Sequence, residues 1–268
     1  RSLTKSNKRF LAASAHDTVF VFDFWYSGNI IIRKYNIESN YFGDLKFYDD
    51  KTIVINSNVR NYDYFRNDHF LSVINIFNNN PSTINYLPDT FTSISAFDIL
   101  NDEIIIAEED PVKLHKFNIN SGQSNYLISN NLYDIIDLDF VNSTTAFILS
   151  NHGQSLYKSI NGGENWSELT NVPEGIVLEA EFIDPNRGVL LVDNDSNTIY
   201  TTNNGGNSWT KSFSRKDSIE ALDILNSGNI YLIWNKSLYL SSDFGDNWHF
   251  TDCPTCSIYD LKALSNST

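Results

Sequence analysis

An all-β fold, a six-bladed β-propeller of four-stranded blades, is predicted by three features of this 268-residue chain. A strand–turn–strand pattern recurs six times along it. The residues that hold the pattern in register, Leu45, Phe97, Leu138, Ala180, Leu222 and Leu261, lie 52, 41, 42, 42 and 39 positions apart. Aromatic residues make up 14% of the composition, and rings suit a pleated surface better than a helix.

Taken in order, the repeats are "GDLKFYDDKTIVI" (43–55), "SAFDILNDEIIIA" (95–107), "IDLDFVNSTTAFIL" (136–149), "EAEFIDPNRGVLLV" (179–192), "EALDILNSGNIYLI" (220–233) and the truncated "YDLKALSNST" (259–268). Each complete copy reads as an alternating strand, a polar turn and an apolar strand. A third strand such as "SLYKS" (155–159) or "TIYTT" (198–202) follows, then a turn and a fourth strand. Four short strands per unit of about 40 residues is the signature of a propeller blade, and no 3.6-residue apolar period competes with it.

The chain ends suggest how the ring closes. The last repeat stops after one strand, while "RFLAASAHDTVFVF" (9–22) aligns with second and third strands. A first blade completed by the C-terminal strand would hide the open sheet edges, with residues 1–268 forming one domain. The alternative makes "SLTKS" (2–6) the inner strand of the first blade. The chain would then be seven-bladed or a piece of a larger propeller.

Three copies of a second motif fall at blade spacing, in third-to-fourth-strand turns. Ser159, Asn161, Gly163 and Trp166 match Thr202, Asn204, Gly206 and Trp209, and again Ser241, Asp243, Gly245 and Trp248. This S/T-x-D/N-x-G-x-x-W pattern resembles the Asp-box, or BNR repeat, of sialidases, photosystem-assembly propellers, sortilin-type receptors and some glycoside hydrolases. The resemblance covers residues 135–252, and the rest of the chain shares only the strand pattern. It implies a structural turn in which Asp or Asn accepts backbone N–H bonds, Gly supplies positive φ, and Trp packs between blades. It also implies that ligands bind at the opposite end of the strands. The corresponding turns of the first three blades, "FDFWYSGN", "FNNNPST" and "FNINSGQS", are degenerate.

Net charge of −14 and a pI of about 4.6 exclude nucleic-acid binding, which draws its affinity from Lys and Arg on phosphates. Anionic membranes are disfavoured for the same reason, and no apolar run approaches the roughly 20 residues that span a bilayer. Any targeting segment or lipid anchor would precede Arg1. The only cysteines, Cys253 and Cys256, read first as a local disulfide, which implies an oxidising compartment. Two free thiols, or redox or metal chemistry, are the alternatives, but neither a helix after the pair nor further zinc ligands are evident.

At the expected functional end, residues 57–69 lengthen the first spacing and carry Arg60, Tyr62, Tyr64, Phe65, Arg66 and His69. Arg and Tyr are the residue types of binding hot spots, so the segment reads as a recognition loop or as an elongated hairpin packed on its own blade. Inter-blade loops add Tyr41, Phe42, Tyr133, Arg215 and Lys216.

A sialidase would need three arginines on a carboxylate, one in an F/Y-R-I-P motif. That motif is missing, and Arg187 falls in a first-to-second-strand turn at the other end. Glu108, Glu109, Asp110, Asp193 and Asp195 are turn carboxylates that paired-carboxylate hydrolysis could use, although acidic turns are ordinary in so acidic a chain. The five histidines show no metal spacing and read as exposed turn residues. The sequence therefore points to a non-enzymatic propeller without cofactor or metal. It would bind another protein in a secreted or membrane-associated, extracytoplasmic complex. A carbohydrate-binding or glycoside-cleaving propeller is the alternative.

Overall fold

The computed structural model describes the strand segments of residues 1–93, and residues 94–252 except 110–111, 128–131 and 236. The chain divides into two compact units, one with the strands up to Tyr126 and one with those from Leu127 onward. Among the described residues, helix is confined to one 3-10 turn, Asn151–Gly153.

The first unit holds three antiparallel sheets, each of sequentially paired strands. They are β1 (Leu3–Lys5), β2 (Phe10–Ala15), β3 (Thr18–Phe24) and β4 (Ile30–Asn36); β5 (Tyr41–Asp49), β6 (Thr52–Asn61) and β7 (Arg66–Asn75); and β8 (Ile94–Leu100), β9 (Glu103–Glu109), β10 (Val112–Asn118) and β11 (Ser124–Leu127). The second unit repeats the four-stranded pattern three times. Its sheets are β12 (Ile135–Phe140), β13 (Ala146–Ser150), β14 (Ser155–Ser159) and β15 (Ser167–Glu168); β16 (Ile176–Phe182), β17 (Gly188–Asp193), β18 (Asn197–Thr202) and β19 (Thr210–Arg215); and β20 (Ile219–Ile224), β21 (Ile230–Trp234), β22 (Ser237–Ser241) and β23 (His249–Asp252).

One expectation about the ends is corrected. The edge of β2 assigned to the C-terminal repeat is taken by β1, with Leu3 opposite Ala13 and Lys5 opposite Leu11. A local hairpin closes a much shorter loop than pairing with the far terminus, and loop-closure entropy favours it. Residues 259–268 lie outside the described residues, as do Cys253, Cys256 and the segment 76–93 where a fourth strand after β7 was expected.

Burial explains the strand types. Val189–Val192 of β17 are all buried, because a second strand has a sheet on each face. Leu190 and Val192 join a cluster with Phe147, Leu149 and Leu156 of the preceding sheet. Their neighbours Val189 and Leu191 join Leu222, Ile230 and Leu232 of the following one. Strand alternation thus serves two cores from one apolar run. In the first unit, Val54 and Leu71 pack with Phe97, Ile104, Ile106 and Phe117. Each register residue from Leu45 to Leu222 is buried, at 5% exposure or less.

Next to the register residues Leu45, Leu138 and Ala180, a polar side chain ties one blade to the next. Lys46 Nζ pairs with Asp98 Oδ1 at 2.8 Å. Asp139 Oδ2 accepts the backbone N–H of Phe182 at 2.9 Å, and Glu181 Oε2 accepts that of Ile224 at 3.1 Å. Charge-assisted bonds of this kind are stronger than neutral ones and fix the register between sheets.

Candidate functional site

The third-to-fourth-strand turns share one hydrogen-bond scheme. Ser159 Oγ accepts from Gly163 N at 2.9 Å, and Asn161 Oδ1 from Asn165 N at 3.0 Å. Thr202 and Asn204 do the same for Gly206 and Ser208, and Ser241 and Asp243 for Gly245 and Asn247. Hydrogen bonds from Asn247 and Ser241 hold the Asp243 carboxyl down at about 2. Trp209 packs on the cluster between the second unit's first two sheets, and Trp248 on that between its last two. Trp166 meets Phe140 edge-on. The three turns are occupied by their own contacts.

The opposite ends of the strands are built differently. First strands carry a bulge near their start: the ladder skips one residue between Ile94 and Ala96, Ile135 and Asp137, Val177 and Glu179, and Ile219 and Ala221. The extra residues are Ser95, Ile136, Leu178 and Glu220. A bulge re-aims a side chain out of the pleat, and Ile136 and Leu178 stand exposed in consecutive blades. With Tyr133 and Ile176 they form a group of large apolar side chains, each 41–52% exposed.

The 3-10 turn fastens this group together. Ser150 Oγ donates to the Tyr133 carbonyl, and Asn151 N donates to the carbonyl of Asp134 at 3.1 Å. Asp134 Oδ2 accepts from His152 N at 2.7 Å and lies 3.0 Å from its Nδ1. Gly153, at φ +80°, brings the turn against the next blade: a Cβ there would stand 2.2 Å from the Val177 carbonyl oxygen and 3.1 Å from Ile176 Cγ2. Only glycine fits that contact.

Beyond Ile176, Glu174, Gly175, Asp193, Asn194 and Asp195 line an open hollow of about 540 Å³. Asp193 and Asp195 are exposed. Such carboxylates can hold a cation or accept hydrogen bonds from a ligand. Among the described residues, no group of three or more His, Cys, Asp or Glu is arranged to hold a metal ion.

Two expectations about titratable residues are corrected in the first unit. Glu108 lies within β9 and His115 within β10, both buried rather than in exposed turns. Ladder partners Glu108–Lys113 and Ile106–His115 put Glu108 diagonally across from His115 on one face. His115 Nε2 lies 3.0 Å from Glu108 Oε1, and its ring packs at 4.1 Å on Tyr126. Burial pushes Glu108 up to about 7 against the opposing pull of Lys113. Burial, with the charge of Lys113 added, takes His115 down to about 4.

The segment 57–69 forms a long hairpin whose ladder runs from Thr52 opposite Asn75 to Asn61 opposite Arg66. Arg60, Arg66 and His69 are strand positions within it, and Tyr62, Tyr64 and Phe65 lie outside the described residues. Arg187 sits between β16 and β17, bonded to Asp184 at 2.7 Å.

Tyr133 was legible from the sequence as a loop aromatic, whereas Ile136 and Leu178 were not. Each precedes a register residue by two positions, so strict alternation puts it in the core, and the bulge reverses that phase. The one available signal is the recurrence of an extra residue at the same point of consecutive repeats.

No protein-family model matches the chain, and no curated protein matches it. Solved structures do. The WD40 β-propeller domain of Doa1 aligns with a TM-score of 0.71 at 10% identity, over 98% of this chain and 86% of that one. PorZ, an essential bacterial surface component of the type-IX secretion system of Porphyromonas gingivalis, aligns at 0.67 and 10% identity. That alignment covers 99% of this chain but 34% of PorZ, so the chain spans about a third of its length. YCF48, in complex with a D1 peptide, aligns at 0.56 and 16% identity, over 80% of this chain and 67% of that one. Among the described residues no helix is long and apolar enough to cross a membrane. At these identities the likeness establishes one thing: the chain has a β-propeller fold.

Proposed function

We propose that this β-propeller is a non-enzymatic scaffold that binds another protein through the end of its blades bearing the bulges and second-to-third-strand turns. The observation that carries the proposal is the exposure of Tyr133, Ile136, Ile176 and Leu178 at the same end of two consecutive blades. Four large apolar side chains held outward by bulges and a glycine contact cost solvation without serving a core, which is the mark of a docking surface. YCF48 offers a precedent in a propeller that holds a peptide, and PorZ in a surface component of a secretion system. The first favours a protein partner and the second an extracytoplasmic location. The three Ser/Thr-turn motifs are proposed to be Asp-boxes acting as fasteners between blades. The fold is proposed to be six-bladed, one blade for each of the six sheets from β1–β4 to β20–β23.

A second reading, carbohydrate binding or cleavage, draws on the carboxylates of the hollow beyond Ile176. Affinity capture from cells and culture fluid, run beside a glycan array and glycosidase screen, separates the two. The expected result is a captured protein that the Ile136→Ser/Leu178→Ser variant fails to retain. A hydrolytic activity abolished by Asp193→Asn would replace the scaffold reading.

A further inference from the structure

The chemistry of this end specifies its partner more narrowly, on the premise that the end is a protein-docking surface. The segments that meet there are 132–137, 150–154, 174–179 and 193–197. They contain Asp134, Asp137, Glu174, Glu179, Asp193 and Asp195; the flanking cations are Arg215, opposite Asn197 with its guanidinium over the Phe213 and Trp234 rings, and Lys216 after it. Asp134 is engaged by His152, whereas Glu174, Asp193 and Asp195 surround the open hollow. That hollow continues directly from the apolar group, because Gly175 joins its Glu174 wall to Ile176. Gly175 is packed so closely that a Cβ would stand 2.5 Å from the Asp193 carbonyl oxygen. Apolar group and acidic hollow are thus two parts of one surface, held at fixed spacing by backbone contacts.

We infer that this surface binds an extended, cationic polypeptide segment in which a large apolar side chain neighbours Lys or Arg. The apolar side chain covers Ile136 and Leu178, and the cation enters the hollow between Glu174 and Asp193. Charge complementarity selects this occupant. An anionic segment would face clustered carboxylates, in a chain of net charge −14, and like-charge juxtaposition rejects wrong partners. A sugar ring is recognised by stacking on aromatic faces, and three of the four apolar side chains here are aliphatic. Alternating side chains of an extended strand put one residue on the apolar group and direct neighbours along the surface toward the carboxylates.

The test uses a short fluorescein-labelled peptide alternating Arg with Leu, with Glu-for-Arg and Ser-for-Leu counterparts, and fluorescence anisotropy at low and high salt. The Arg–Leu peptide is expected to bind at least about tenfold more tightly than either counterpart, and to weaken as salt screens the carboxylates. Ile136→Ser/Leu178→Ser and Glu174→Gln/Asp193→Asn/Asp195→Asn are each expected to weaken it about tenfold. Glu164→Gln/Asp246→Asn, at the other end of the blades, is expected to leave it unchanged. Equal loss with that control would mean bulk attraction to an acidic protein and would overturn the inference. So would equal binding of the Glu peptide. The two premises fail differently. If the captured native partner needs Ile136 and Leu178 but tolerates the neutralised hollow, the cationic occupant is wrong and the docking end stands. If it tolerates both variants, the docking end is wrong as well. All substituted side chains are exposed or line the hollow, so far-UV circular dichroism and the melting temperature should match the parent.

Discussion

Trp209 meets Phe182 edge-on, with ring centroids 6.1 Å apart, while Phe182 also stacks on Phe147 of the preceding blade at 3.4 Å. The turn tryptophan therefore closes an aromatic chain that crosses two sheets. Trp209→Ala is expected to lower stability by about 3 kcal/mol, the low end of the range for deleting a large ring because Trp209 is half-buried, read as a lower melting temperature. Replacement by Phe should separate the turns. Trp248 Nε1 donates to Ser212 Oγ at 3.1 Å, whereas Trp209 Nε1 is buried and meets no acceptor among the described residues. Trp248→Phe should cost more than Trp209→Phe, and the reverse order would contradict this packing.

In the third turn, Asp243 does the work that Asn161 and Asn204 do in the others. Its oxygens accept from Ser241 Oγ at 2.8 Å and from Asn247 N at 2.8 Å. Asp243→Asn should lower the melting temperature at neutral pH only slightly, because an amide oxygen can accept the bonds from Ser241 Oγ and Asn247 N and only the bond from Asn247 Nδ2 is lost. Asp243→Ala should lower it further. Equal effects of the two would mean that the turn depends on charge rather than on hydrogen-bond geometry.

The buried pair in the first unit predicts a pH signature. Glu108 is raised from 4.5 to about 7, so its contribution is present at low pH and is lost as pH rises toward 7. His115 is lowered from 6.5 to about 4, so its contribution is present above 6.5 and is lost as pH falls toward 4. Between these limits the folded pair holds one proton on Glu108 and the unfolded pair holds one on His115. Proton counts then match, and stability is flat with pH. Glu108→Gln removes the carboxyl that must ionise while buried. Relative to the parent it should gain about 1–2 kcal/mol on going from about pH 5.5 to about pH 8, measured by denaturant unfolding. No change in that gap would show that the pair does not titrate as described.

Gly153→Ala is expected to destabilise the turn that carries Tyr133, since the new Cβ would collide with the Val177 carbonyl and the residue sits at φ +80°. A cost of about 1–3 kcal/mol, with loss of partner binding at temperatures where the protein stays folded, is the expected outcome. Unaltered stability would mean that the turn stands away from β16.

Much of the architecture was legible in the sequence. The register residues Leu45, Phe97, Leu138, Ala180 and Leu222 all lie in cores, and the motif residues Ser159, Thr202 and Ser241 all end third strands. Periodicity and turn chemistry are local, and local rules carry them. The docking end was harder to read, because a single bulge reverses the phase of Ile136 and Leu178 without any change in composition. His115 and Glu108 were misplaced for a related reason: a strand that runs farther into a polar segment than expected takes its titratable residues into the interior. The pairing of Leu3–Lys5 with β2 shows the same limit at the chain end, where two segments competed for one edge.

The central claim is that the protein binds its partner through the bulge end of the blades. A photo-cross-linking amino acid placed at Leu178, with Ile160 as the control at the other end of the strands, tests it most directly. Both side chains are exposed, at 50% and 74%, so accessibility does not bias the comparison toward Leu178. Irradiation in the producing cells should give a discrete protein adduct from position 178 and none from position 160. An adduct from 160 alone, or from neither position, would contradict the account.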